Sequence, residues 1–149
     1  MAEESIRTTE FLERLLNTTS VQRFIKRYNH HMTDTPFHIY ITEQCKKKGL
    51  SNAQAILNAG IDRTYGHHIF SGRKKPSRDK VLLLAFGCKM DYKETQELLR
   101  AAKKNALYPK VMRDAVIIKA LQHKLPISMV QDTLNQLDLP DIDKEGRYE

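Results

Sequence analysis

The stretch Gly49 to Gly72, GLSNAQAILNAGIDRTYGHHIFSG, decides the fold. Ser51 can accept from the exposed amides of a helix start, and Gln54, three residues on, can reach back, which is a reciprocal capping arrangement. A helix therefore begins near Asn52. Ala55, Ile56 and Ala59 recur at helical spacing, and Gly60 can adopt a positive φ with no Cβ to clash, so the chain turns sharply there. Ile61 returns to the interior and Asp62 offers a second cap. A short helix then runs from Arg63 to Phe70 with Arg63, Thr64, His67 and His68 on its outward side, and the basic run Arg73-Lys74-Lys75 follows at once.

A short helix held on a tight turn suits the major groove of duplex DNA, the groove that admits a helix and whose edges distinguish all four base pairs. Arg63 and Thr64 occupy the first turn, where base edges are met. Arginine binds guanine O6 and N7 in bidentate fashion, and threonine donates, accepts or touches a thymine methyl. His67 and His68 lie one turn further on, within reach of bases or phosphates. Tyr65 either packs its ring beside Gly66 or brings its hydroxyl to a phosphate. Arg73, Lys74, Lys75, Arg78 and Lys80, against the single carboxylate of Asp79, form a cationic loop suited to the phosphate backbone. Asn52 presents its amide and a helix N-terminus to a further phosphate.

These residues resemble the lambda-repressor-like, XRE (xenobiotic-response-element) type of helix-turn-helix domain. Leu50-Ser51 opens the first helix, Gly60-Ile61-Asp62-Arg63 stands at the turn, and Gly72 followed by Lys75-Pro76-Ser77 matches the exit. The resemblance runs from Pro36 to about Ala102. It implies a five-helix domain and a bacterial transcriptional regulator that binds double-stranded DNA in a sequence-specific way. The layout with RDAVIIKAL downstream, Arg113 to Leu121, is similar to small bacterial regulators of this type. Two positions depart from the family pattern: Ile56 stands where a small residue is usual, and Gly66 where Ile or Val is usual. A large residue gained on one helix and one lost on its partner conserve volume, the kind of core change best tolerated. The glycine still costs about 1 kcal/mol of helix propensity.

Composition agrees with a polyanion partner: 149 residues carry a formal charge of +7 and a pI of about 9.4. No run of alternating β-branched residues suggests a sheet, so the fold class is all-α. Cys45 and Cys88 are far apart in sequence and lack a CxxC or zinc-ligand pattern, which reads as two small buried hydrophobes rather than a disulfide. Adjacent His30-His31 and His67-His68 point about 100° apart on a helix and make no metal site. No nucleophile elbow, phosphate loop or carboxylate-rich cleft signature is present, so neither an enzyme nor a cofactor is expected. The N-terminus has no apolar signal core and no stretch is long enough to span a membrane, which places the protein in the cytoplasm.

The remaining chain divides around the central unit. Residues 1–35 form an appendage and linker: Phe11, Leu12, Leu15 and Leu16 stripe one helix, and Thr19 and Gln22 cap a second with Val21, Phe24, Ile25 and Tyr28. Residues 36–104 form the DNA-binding domain, with a first helix from Phe37 to Lys48 that has Ile39, Ile41 and Cys45 among its apolar positions, a Ser77-capped apolar helix ended by Gly87, and an Asp91–Glu94 capping box. Residues 105–137 form a helical pair, the first starting at Pro109 and apolar on most faces, the second after Pro126. Residues 138–149 form an acidic, mobile tail with Asp141, Asp143, Glu145 and Glu149 that competes for the basic face. The protein is expected to bind as a two-fold homodimer, with the C-terminal helices, whose apolar area exceeds what a five-helix core absorbs, as the favoured seam over the N-terminal pair. The alternative is a protein-interaction adaptor or antitoxin-like module that turns the same helical fold on a protein partner.

Overall fold

The structure, a computed structural model, describes residues 6–32 and 34–143, apart from the side chain of His30. Among the described residues every regular element is helical. The chain forms two compact units, Met1–Asp34 and Thr35–Glu149.

The first unit holds α1 (Thr8–Asn17), α2 (Val21–Arg27) and a 3-10 turn at Asn29–His31. Ser20, not Thr19, caps α2 by accepting from the Arg23 amide at 3.3 Å. Phe11 and Phe24 meet edge to face at 5.1 Å, and the Tyr28 ring lies 5.5 Å from Phe11 and 4.6 Å from Phe24. Leu12, Leu15, Leu16, Val21 and Ile25 are exposed.

The second unit holds α3 (Phe37–Lys47), α4 (Asn52–Ala59), α5 (Arg63–Phe70), α6 (Arg78–Gly87), α7 (Tyr92–Ala101), α8 (Met112–Gln122) and α9 (Ile127–Gln136) around one core. Both expected capping boxes form, at Ser51 with Gln54 and at Asp91 with Glu94. Of the apolar positions on α3, Ile41 and Cys45 are buried, whereas Ile39 is exposed. Val81 to Ala85 on α6 are buried without interruption, so this helix is the centre of the unit. Gly87 does not end α6 through its own conformation. A Cβ there would stand 2.8 Å from the Ala59 nitrogen and 2.9 Å from the Ala55 carbonyl oxygen, so the glycine lets α4 and α6 approach backbone to backbone. The reversal comes two residues later, at Lys89, with φ 55°.

The C-terminal helices belong to this same core. Ile117, Ala120, Leu121, Val130 and Leu134 are buried with the residues of α3 to α7. Much of the apolar area of α8 and α9 is thus buried within one chain, while Val111, Met112, Met129 and Leu137 remain exposed. Pro109 does not start α8, whose first residue is Met112, because residues 105–111 form a loop fixed by side chains: the Tyr108 amide donates to Asp114 at 3.0 Å, and Gln96 brackets the Leu107 backbone at 2.8 and 3.0 Å. The segment expected to be mobile from Asp138 is instead held as far as Asp143. Ile142 is fully buried, Gln131 bonds both its amide and its carbonyl at 2.8 Å, and Arg113 donates to the Pro140 and Asp141 carbonyls. Glu145 and Glu149 lie outside the described residues.

Ile56 and Gly66 meet as the sequence suggests. A Cβ on Gly66 would lie 2.5 Å from Ile56 Cγ2 and 2.7 Å from Cγ1, so the isoleucine fills the space that a side chain on α5 would take. Because Ile56 is β-branched and buried, it has little freedom to move aside. Gly66→Ile should destabilise by about 1–3 kcal/mol through overpacking, and Ile56→Ala alone by about 2–5 kcal/mol through a cavity. In a urea denaturation cycle the double variant should lose clearly less than the sum, and additive losses would remove the compensation.

Burial at the α3 surface, reinforced by the carboxylates of Glu97 and Glu94, pushes the Tyr40 phenol up to about 12 from its ordinary 10.0. A folded value above the unfolded one makes its contribution complete below pH 10 and lost as pH rises toward 12. Tyr40→Phe should therefore flatten part of the alkaline fall in stability, measured by denaturation between those limits. An unchanged slope would show that Tyr40 ionises as freely when folded as when unfolded.

Candidate nucleic-acid interface

The outward side of α5 is set by what its other side must bury. Gly66, Ile69 and Phe70 face the core, which leaves Arg63, Thr64 and His67 exposed and His68 half-buried. The entry is fixed by Gly60 in the left-handed region at φ 71° and by Asp62, whose carboxylate accepts from the Tyr65 amide at 3.0 Å. Three residues, Gly60 to Asp62, thus connect α4 to α5.

The exit is equally defined. Gly72, at φ 84°, lies against the His38 ring, and a Cβ there would come within 2.9 Å of two ring atoms. The Lys74 amide donates to the His68 carbonyl at 3.1 Å, which folds the chain back along the end of α5. Arg73, Lys74 and Lys75 are exposed and form no ion pair among the described residues, while Pro76 is buried behind them. Asn52 is the first residue of α4 and is partly buried.

Two expected members are engaged elsewhere. Arg78 is not part of an open cationic loop. Its guanidinium grips Asp114 through two bonds of 2.9 and 3.2 Å, and it donates to the carbonyls of Asn105 at 2.9 Å and Ala106 at 3.2 Å. Asp114 is almost fully buried, so this cation neutralises a charge that would otherwise be stranded in the core. Lys80 pairs with Asp143 and lies 5.1 Å over the Tyr65 ring. Tyr65 packs against the core with its ring under that ammonium, which favours the packing reading of this residue over a phosphate contact. Asp79 is bridged by Arg113 at 3.0 and 3.1 Å and also accepts from the Asp143 amide at 2.8 Å.

The cationic surface at the end of α5 therefore reduces to Arg73, Lys74 and Lys75. His38 is the neighbour that sequence reasoning passed over. It stands on α3, far from Gly72 in sequence, and no spacing rule links the two. Among the described residues no group of three or more His, Cys, Asp or Glu side chains is placed to hold a metal ion, and no helix is long and apolar enough to cross a membrane. Nothing among protein-family models, curated proteins or solved structures matches this chain.

The two kinds of cation differ in what their loss does to the fold. Arg78→Ala leaves Asp114 buried and unpaired and should destabilise by about 3 kcal/mol, whereas Lys74→Ala should stay within about 0.5 kcal/mol of the parent. Chemical denaturation of the two variants side by side distinguishes them, and equal stabilities would mean that the Arg78–Asp114 clamp does not hold the loop before α8.

Proposed function

We propose that the chain is a sequence-specific duplex DNA-binding protein, a transcriptional regulator of the lambda-repressor-like, XRE helix-turn-helix type, acting in the cytoplasm with α5 as its recognition helix. The observation that carries this reading is the outward row Arg63, Thr64 and His67 on a short helix whose exit runs directly into three exposed cations with no ion-pair partner among the described residues. A net charge of +7 supplies the long-range attraction to a polyanion. Arg63, free of intramolecular partners among the described residues, has its full fork available to a guanine edge. Arg73, Lys74 and Lys75 meet phosphates and fix the register, and Asn52 offers a further phosphate contact at the start of α4.

The adaptor reading draws on Leu57, which is 78% exposed on α4 and presents apolar surface that a protein partner can cover. Binding to random-sequence duplex and to a selected site, measured over a range of salt, separates the two. A DNA reader loses affinity log-linearly with salt and holds the selected site more tightly, while an adaptor shows little duplex affinity. Arg63→Ala should cost about 1–3 kcal/mol on the selected site alone and relax one base position, and Lys74→Ala should weaken all duplexes alike and reduce the salt slope by about 1. Equal, sequence-blind losses from both would mean that Arg63 reads no base. Stoichiometry in the same titration reports whether one or two copies occupy the site.

A further inference from the structure

Cys45 lies on α3 and Cys88 caps the end of α6, and both are fully buried. The fold brings these distant positions together: their sulfurs are 3.3 Å apart, and one thiol donates to the other. Packing alone does not call for two thiols in line, since small aliphatic side chains fill the same kind of space without polar atoms. No other ionisable group forms a hydrogen bond to either sulfur among the described residues.

We propose that Cys45 and Cys88 are an oxidative modification site, converted by a peroxide into an intramolecular disulfide that ties α3 to the end of α6. The Cys45 sulfur, as thiolate, attacks one oxygen of hydrogen peroxide. The O–O bond breaks, a sulfenic acid forms, and the departing hydroxide takes up from solvent a proton equivalent to the one Cys45 released to solvent on becoming thiolate, leaving as water. The Cys88 sulfur then attacks the Cys45 sulfur. The S–S bond forms, the S–O bond breaks, and the second water leaves with the Cys88 proton. The two thiols give up two electrons and the peroxide accepts them. The roles follow from the shared hydrogen bond, which lowers the Cys45 thiol below its ordinary value, while that bond and burial push Cys88 up. The sulfurs must close from 3.3 Å to about 2.0 Å, a movement of little more than 1 Å in the direction that rotation about the Cα–Cβ bonds carries them. Burial makes the pair silent to bulky disulfides and leaves it to a small oxidant admitted by local opening.

The bond would close a loop that contains α4, α5 and Arg73 to Lys75, that is, the whole recognition element and its exit. Cross-linking that loop removes conformational entropy from the unfolded chain, so oxidation should make this region harder to unfold. The chemistry rests on the thiol geometry and not on the DNA reading, and its readouts are independent of any duplex.

The test uses the full chain, reduced, freed of reductant and treated with hydrogen peroxide. Titratable thiols after denaturation should fall from two to none. The intact mass should drop by two hydrogens with no oxygen added, and a non-reducing peptide map should join Cys45 to Cys88. The Tm should rise by roughly 10 °C and return on adding dithiothreitol. Cys45→Ala and Cys88→Ala should each abolish the rise. Thiols that survive the treatment, oxygen added without a cross-link, a link between two chains, or a cross-link that leaves the Tm unchanged would each overturn the proposal.

Discussion

The close approach of α4 to α6 at Gly87 is the contact on which the rest of the second unit depends. With no Cβ in the way, the α6 backbone lies directly on Ala55 and Ala59, and Asn58 closes the seam by donating to the Gly87 carbonyl at 3.2 Å. The two helices pack on each other more extensively than any other pair among the described residues. Because α5 follows α4 after only three residues, the seam also fixes where α5 stands. The opposite end of α6 holds the chain through charge instead, as Arg78, Asp79 and Lys80 reach in turn to Asp114, to Arg113 and to Asp143. One helix thus locates the proposed recognition element at one end and anchors the C-terminal segments at the other.

What could be read from the sequence was mostly what depends on neighbours within a turn. The capping boxes at Ser51 and Asp91, the cap at Asp62 and the left-handed Gly60 all involve residues at most five apart, where residue type and spacing carry the physics directly. The opposition of Ile56 and Gly66 is the exception that spans two helices. It was legible because a family pattern supplied the expected volumes, and the structure supplies the distance that makes it physical. Gly87 illustrates the reverse. Its position at a helix end suggests a stop, but its role is a backbone contact with residues far back in the chain, which no local rule detects.

Charge was the least legible property, for the same reason. Read locally, Arg73 to Lys80 is a run of five cations against one carboxylate. In three dimensions Arg78 and Lys80 are each matched by a carboxylate more than thirty residues away, and only Arg73, Lys74 and Lys75 remain available. The start of the tail, as far as Asp143, was misjudged in parallel. Its aspartates look like a solvated acidic segment, but Ile142 between them supplies an apolar anchor, and Arg113 provides donors for the backbone just before it. Once Ile142 is buried, Asp143 reaches Lys80 without further reorganisation, so the apolar residue and the ion pair support each other.

The same logic explains why the outward row of α5 is free for the recognition role proposed for it. An eight-residue helix has little stability of its own, so its position must come from tertiary contacts on the buried side. Here those contacts are unusually economical: Ile69 and Phe70 insert into the core, and at Gly66 the filling is done from the other side by Ile56. The Asp62 cap and the ring of His38 against Gly72 secure the two ends. With entry, exit and buried side held by other residues, the side chains of Arg63, Thr64 and His67 are exposed and form no hydrogen bond or ion pair among the described residues. On the proposed DNA-binding reading, their identities can therefore change with the site bound while the helix that presents them stays where it is.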